Sequence, residues 1–452
     1  MNIILLSGGS GKRLWPLSND HRSKQFLKLL KKEDGSYESM VQRVYRQIKE
    51  AGIRANIVIA TNNSQVDFIK TQLGEEVDIV VEPERRDTFP AIALSSAYLA
   101  LEKKADPGEP VLVLPVDPYA ELEYFHVIQR MEAAVQQNAA DIVLMGIKPT
   151  YPSAKYGYII PECGQGAAGD RENQSLCLVE RFTEKPSEEE AGRLIAEGAF
   201  WNGGVFAYKL GYLMNLIEKY QAGSTFEGIR QNYGRLKKIS FDYEVVEKAN
   251  SVAMVPYQEK WKDLGTWNTL TEEMEEAAIG PVTIGEGAEN THVINELDIP
   301  MVVLGTTDLV VAASPDGILV SNKHKSSYLK PYVDGLNDRP MYEERRWGEY
   351  KVLDYMTHED GIKSLTKHLA IKEGQAISYQ RHLMRDEIWT IIDGTGDLVI
   401  DGHVRNVRRG DVAYITKGQK HAMRAVTDLE FIEVQIGKTL IEEDIERLEW
   451  TW

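Results

Sequence analysis

The stretch Ser7-Gly8-Gly9-Ser10-Gly11-Lys12-Arg13 follows directly on a short apolar run, Ile3 to Leu6. Glycines let the main chain approach a ligand closely and take positive φ. Successive backbone N–H groups in such a loop can surround a phosphate. Arg13 and Lys24 would add full positive charges. From the glycines alone, a plain turn is the other reading. Single residues exclude two familiar phosphate motifs. A dinucleotide fingerprint needs glycine where Leu14 stands, and a P-loop needs Ser or Thr after Gly11-Lys12, where the chain has Arg13.

The elements that must position this loop are legible as periodicity. Apolar runs at Ile57 to Ala60, Ile79 to Val81, Val111 to Leu114 and Ile142 to Met145 read as buried strands. Helical patterns such as Ser39 to Ala51 and Pro90 to Glu102 lie between them. The rhythm predicts an α/β, Rossmann-like, mainly parallel sheet with helices on both faces. Ligands of such sheets sit beyond the carboxyl ends of the strands. After about residue 280 short β-type runs dominate, such as Leu309-Val310-Val311 and Ile318-Leu319-Val320. From Trp347 short strands alternate with turns at Glu373-Gly374, Asp393-Gly394, Asp401-Gly402 and Arg409-Gly410, the pattern of a small all-β barrel. The expected division is an α/β domain over 1–280, a β-rich segment open to a β-helix reading over 281–335, a linker over 336–346 and an all-β domain over 347–452.

A net charge of -17 argues against a non-specific nucleic-acid partner, because an acidic surface repels phosphates. An anionic substrate must therefore meet a local basic site or a metal ion. Cys163 and Cys177 stand in no CxxC or Cys/His cluster, so they read as two ordinary thiols in a reducing cytosol. The N-terminal apolar run is too short for a signal peptide, and no stretch approaches the roughly 18 apolar residues of a membrane span. The expectation is a cytoplasmic protein without a membrane partner, and a homo-oligomer, a dimer by base rate.

The longer string Gly-Gly-x-Gly-x-Arg13-Leu14-Trp15-Pro16-Leu17-Ser18, followed by Lys24-Gln25-Phe26, closely resembles the signature of sugar-nucleotide pyrophosphorylases, and specifically of bacterial mannose-1-phosphate guanylyltransferases. Ser23 stands where that family often has Pro. The resemblance continues in order to about residue 335. Glu82-Pro83-Glu84-Arg85-Arg86-Asp87-Thr88 resembles the segment near base and ribose, with Asp87 in place of Asn and Phe89 in place of Ala. Leu114-Pro115-Val116-Asp117-Pro118, Tyr156-Gly157-Tyr158, Phe182-Thr183-Glu184-Lys185-Pro186, Trp201-Asn202-Gly203-Gly204, Ser240-Phe241-Asp242-Tyr243-Glu244 and Trp261-Lys262-Asp263-Leu264-Gly265 match later blocks.

The resemblance implies a magnesium-dependent enzyme joining GTP to mannose 1-phosphate. It places Arg13, Lys24 and Lys185 on phosphates, and Asp117 and Asp263 on the magnesium. Ser7, Gly8, Gly9, Gly11, Asp87, Thr88, Gly157, Glu184 and Asn202 would bind substrate. Taken alone, Asp117 is a strand-end turn residue and Glu184-Lys185 a solvated pair. Another nucleotide and sugar pair is the alternative within the class, and a silent nucleotide-sugar sensor the alternative outside it. Retention of both carboxylates with Arg13, Lys24 and Lys185 argues against the sensor.

The C-terminal stretch resembles the cupin domain of bifunctional phosphomannose isomerase and guanylyltransferase enzymes. The carrying residues are Arg346-Trp347-Gly348, Gln380 to Trp389, Thr416 to His421 and Glu433-Val434-Gln435. By that resemblance Gln380, His382, Glu387 and His421 would hold a second divalent metal such as Zn, Mn, Co or Fe, with Arg385 as a catalytic group. Met384 replaces a usual His and is a weak ligand for such ions. Two readings stay open: an isomerase of fructose 6-phosphate and mannose 6-phosphate, or a non-catalytic binding module.

Overall fold

A computed structural model describes residues 1–9, 11–162, 176–336 and 339–452. The chain divides into two compact units. One comprises Met1–Leu14 and Ser23–Glu276, the other Trp15–Arg22 and Ala277–Trp452.

The first unit is built on a nine-stranded sheet. Asn2–Leu6 pairs in parallel with Asn56–Asn62 on one side and with Pro110–Pro115 on the other. Phe200–Lys209 runs antiparallel between Pro110–Pro115 and Ile142–Ile147. It and Cys177–Thr183 are the strands that reverse the common direction. Residue alternation along each strand feeds two cores. Ile3, Leu5, Leu112 and Leu114 face one, and Ile4, Val111 and Val113 face the other. That is why these strands are continuously apolar. Helix Met40–Glu50 starts on a capping box formed by Ser39 and Gln42, which satisfies two otherwise orphaned N–H groups. Helix Thr88–Leu101 buries most of its residues against the second core. A short antiparallel pair, Pro118–Ala120 with Trp261–Asp263, sets Asp263 opposite Pro118.

In the second unit the residues after Glu276 form a parallel coil. Ala278–Ile279, His292–Asn295 and Leu309–Ser314 stack in parallel, as do Val282–Ile284 and Met301–Val303. Val293, Val303 and Val311 fill the space between the two stacks. Gly317–Asn322 closes the coil as an antiparallel hairpin strand. The remainder is two antiparallel sheets of six and five strands around Trp389, Leu398, Phe431 and their neighbours. Gly394 turns one corner with φ 78°, and a Cβ there would fall 1.9 Å from the Asp428 carbonyl.

Two expectations need amendment. Inside the stretch read as a linker, Tyr342–Arg345 is a strand paired with Gly348–Thr357, because its alternate residue Glu343 is buried beneath Tyr350. Cys177 is not a free thiol but disulfide-bonded, while Cys163 lies outside the described residues. Among the described residues no helix is long and apolar enough to cross a membrane.

Candidate active site

The strand Asn2–Leu6 delivers the glycine loop, and two buried side chains hold that loop from behind. Gln25 Nε2 donates to the Ser7 carbonyl at 2.6 Å. Ser23 Oγ donates to the Gly9 carbonyl at 3.5 Å and accepts from Gln65 Nε2 at 2.5 Å. The serine in place of the family's proline thus supplies a tether for the loop. Gly8, Gly9, Asp87 and Thr88 line one cleft of about 240 Å³ with Asn62, Glu82, Arg85 and Arg86. Ser7 is fully buried behind it, and Gly11 opens the 3-10 turn that carries Arg13. Asp87 has φ 73° and ψ -177°, a conformation that non-glycine residues rarely adopt, and its side chain accepts from the Thr88 N–H at 2.7 Å. Its strained backbone and cap place it at the mouth of helix Thr88–Leu101, where positive dipole potential favours an anion.

Beyond the strand Pro110–Pro115, Lys24 Nζ donates to Asp117 Oδ2 at 2.7 Å and lies 3.8 Å from Asp263 Oδ1. Burial alone would push the Asp117 carboxyl up. The charge and hydrogen bond of Lys24, with the charge of Arg13, outweigh it and hold the group below its ordinary range. Burial and the neighbouring Asp117 push the Asp263 carboxyl up, against Lys24 and Arg13. Asp263 Oδ1 is buried and accepts no hydrogen bond. Gly265 preserves this arrangement, since a Cβ there would lie 2.8 Å from that same oxygen. Two converging carboxylates with one buried oxygen unserved are hard oxygen donors of the kind a divalent cation takes. Arg13 is exposed, open to meet a phosphate from outside.

The remaining expected residues form a second cluster. Lys185 Nζ donates to Glu184 Oε1 at 2.7 Å. Asn202 Nδ2 donates to Asp242 Oδ1 at 2.5 Å, and the Asn202 N–H to the Gly157 carbonyl at 2.8 Å. At Gly157 a Cβ would stand 2.5 Å from Glu184 Oε2 and 2.8 Å from the Phe182 ring, so only glycine fits. At Gly203 a Cβ would stand 2.9 Å from Ile147 Cγ1, which accounts for glycine where the family has serine. Two members escaped sequence reasoning. Asp242, in a quoted block but unassigned, is pushed up to about 6 by burial and by Glu184, opposed by Asn202. Tyr156 packs on Trp201 and Trp261 with centroids 4.9 and 5.6 Å apart, and feels the charge of Asp263. The aromatic wall joins the carboxylate pair to the second cluster. The block order pointed to these residues, but no spacing rule joins positions 156, 201 and 261.

In the C-terminal unit, donor atoms of His382, Glu387 and His421 lie within 4.8 Å of one another, all buried. His382 Nδ1 faces the Asp444 carbonyl, and His421 Nδ1 faces the Gln419 carbonyl at 3.0 Å. A ring nitrogen facing a carbonyl carries the proton, which leaves each Nε2 as a lone pair turned inward, as metal-binding histidines are usually held. Glu387 Oε2 and His421 Nε2 stand 3.3 Å apart, and neither makes a hydrogen bond. These orphaned donors fit a divalent cation. Gln380 turns its amide nitrogen toward His382 Nε2 at 3.4 Å, while its oxygen accepts from Ser378. Met384 is 45% exposed and outside the buried cluster. Buried Arg385 donates to Glu387 Oε1 at 2.9 Å and lies 3.3 Å from His382 Nε2.

Residues 2–279 match the family model described as nucleotidyl transferase, and residues 337–450 match that of the mannose-6-phosphate isomerase C-terminal domain. The xanthan biosynthesis protein XanB of Xanthomonas campestris pv. campestris (strain B100) is 31% identical, over 99% of this chain and 98% of that protein. A mannose-1-phosphate guanylyltransferase of Salmonella montevideo is 32% identical, over 98% of each. The solved structure of a mannose-1-phosphate geranyltransferase from Thermus thermophilus matches with TM-score 0.60 at 29% identity, over 75% of this chain and 99% of that one. With the glycine loop, the paired carboxylates and the C-terminal donor cluster all in place, the chain belongs to the nucleotidyl transferase family, in its mannose-1-phosphate guanylyltransferase branch with an isomerase-like C-terminal domain.

Proposed function

We propose that the protein transfers the guanylyl group of GTP to mannose 1-phosphate, forming GDP-mannose and pyrophosphate. The observation that carries the reading is the Lys24 ammonium between Asp117 and Asp263, with Arg13 exposed beside them. An oxygen of the sugar phosphate attacks the α-phosphorus, a new P–O bond forms, and the bond to the β-phosphate oxygen breaks with its electron pair leaving on pyrophosphate. A phosphate monoester is already anionic at neutral pH, so no residue need act as base. Catalysis is positioning and charge neutralisation.

Backbone N–H groups of Gly8 and Gly9 and the charge of Arg13 receive the triphosphate. Lys24 offsets charge where the reactants meet. Lys185, held by Glu184, receives the sugar phosphate, and Asn202, Asp242 and Glu184 offer hydrogen bonds to the sugar. Asp117 and Asp263 would hold magnesium, which when bound supplies positive charge against the repulsion of two anions.

The donors of His382, Glu387 and His421 support a second divalent ion in the C-terminal domain, which would polarise a sugar carbonyl during interconversion of fructose 6-phosphate and mannose 6-phosphate. Arg385 there steadies the negative charge of Glu387 and orients His382.

The test is pyrophosphate release with magnesium, pairing each nucleoside triphosphate with mannose 1-phosphate or glucose 1-phosphate. GTP with mannose 1-phosphate should exceed every other pair. Preference for another pair would move specificity to Asp87, Phe89 and Gly203, and no release from folded protein would overturn the transferase reading.

A further inference from the structure

Arg13 and Lys24 belong to one compact unit, but eight of the residues between them, Trp15–Arg22, belong to the other. The chain leaves the first unit immediately after the turn Gly11–Leu14 and returns at Ser23, directly before Lys24. This excursion is fastened at Trp15, Pro16, Asn19, His21 and Arg22. The Trp15 indole lies where a Cβ on Gly317 would stand 2.5 Å away, so glycine at 317 makes room for it. Ser314 Oγ donates to the Pro16 carbonyl at 2.8 Å. Asn19 Nδ2 donates to Asp316 Oδ2 at 2.6 Å, and the other oxygen of Asp316 accepts the Met341 N–H at 2.7 Å. His21 Nδ1 meets Glu343 Oε1 at 3.0 Å. Arg22 makes two bonds to Glu296, at 2.7 and 3.0 Å, and its guanidinium lies 5.4 Å from the Tyr342 ring centre. Asn19 stiffens the segment itself, its oxygen accepting the N–H groups of His21 and Arg22 at 2.8 and 2.7 Å.

A paired guanidinium and carboxylate fix both distance and orientation, unlike a single point charge. The anchors come from two places. Glu296, Ser314, Asp316 and Gly317 belong to the parallel coil, and Tyr342 and Glu343 to the strand that opens the barrel sheet. We propose that residues 15–22 are a strap whose fastening sets the flanking Arg13 and Lys24, with Glu296 and Glu343 as positioning residues that touch no substrate. It acts on the nucleotide side, because the sugar cluster is carried elsewhere: Glu184 and Lys185 follow the strand Cys177–Thr183, Asn202 lies in Phe200–Lys209 and Asp242 in the short helix Phe241–Glu244.

The kinetic half of this inference rests on the transferase reading, and the exchange half does not. Full-length protein, Glu296→Gln, and the swap Arg22→Glu with Glu296→Arg are compared by amide hydrogen exchange over residues 11–26 and by steady-state kinetics. In E296Q the exchange should quicken by about tenfold, as for a locally loosened segment. Its kcat/KM for nucleotide should fall about tenfold while KM for the sugar phosphate stays within about twofold, since small misplacement of charged groups is costly. The swap should recover most of both losses. Exchange indistinguishable from the unaltered protein, or a rise in KM for the sugar phosphate as large as that for nucleotide, overturns the strap. Should E296Q not fold, Ser314→Ala removes one hydrogen bond only and should still quicken exchange by about threefold; no change there overturns it as well. If the unaltered protein transfers no nucleotide, the transferase reading fails and exchange alone decides the strap.

Discussion

Lys24 Nζ donates to Asp117 Oδ2 at 2.7 Å and stops 3.8 Å short of Asp263 Oδ1, so a single ammonium stands between two half-buried carboxylates. Neither carboxylate can lose that partner cheaply, and Asp263 keeps one oxygen unserved. Asp263→Asn and Arg13→Ala should each cut turnover by about 10²-fold or more, as loss of a preorganised electrostatic group does. Pyrophosphate-release assays on folded variants check this. Near-normal rates in either variant would remove that residue from the mechanism.

Chelation should abolish transfer, and added magnesium should restore it, if Asp117 and Asp263 hold the ion. In Asp117→Asn the magnesium concentration for half-maximal rate should rise by about tenfold or more, since a charged oxygen ligand is lost. A full rate in the presence of excess chelator would count against a metal at these residues.

Gly157→Ala would push a methyl to within 2.5 Å of Glu184 Oε2 and 2.8 Å of the Phe182 ring. Overpacking of this kind costs about 1–3 kcal/mol. Because Glu184 faces the expected sugar site, KM for mannose 1-phosphate should rise about tenfold while that for GTP changes little. Equal effects on both substrates would place Glu184 outside the sugar subsite.

Asp242 is pushed up to about 6 from an ordinary value of 3.8, by burial and by Glu184. A carboxyl raised by folding favours the folded state in its protonated form. That contribution is complete below about pH 4 and is lost as pH rises through about 6. Asp242→Asn keeps an oxygen to accept from Asn202 and carries no charge. Its melting temperature should exceed that of the unaltered protein at pH 7, and the gap should shrink toward pH 4. A gap independent of pH would assign the effect to packing.

His421→Gln should empty the C-terminal donor cluster, lowering bound Zn, Mn, Co or Fe toward zero while magnesium-dependent nucleotidyl transfer persists. Elemental analysis of the purified variant beside the unaltered protein checks the point. Equal metal content in both would locate the ion elsewhere.

Features that depend on local chemistry and on order along the chain are readable from the residues alone. The glycine loop after Ile3 to Leu6 is legible because neighbouring residues define it, whereas Glu184-Lys185 and the set His382, Glu387 and His421 are legible only through the family resemblance of the blocks that carry them. The α/β and all-β halves are legible because buried strands and exposed turns leave periodic traces. Which distant residues share a site depends on how the strands and helices pack. Lys24, Asp117 and Asp263 meet through the register that sets Asp263 against Pro118. Asp242 reaches Asn202, and Tyr156 reaches Trp261, between elements far apart in the chain. Met384 turns outward though His382 turns in, because both lie in the bend between the strands Gln380–Arg381 and Arg385–Asp393, where alternation does not run. The departure of Trp15–Arg22 into the other unit left no periodic trace at all. Its hydrogen bonds and ion pairs join residues hundreds of positions apart, and such pairings carry no period for a sequence to display.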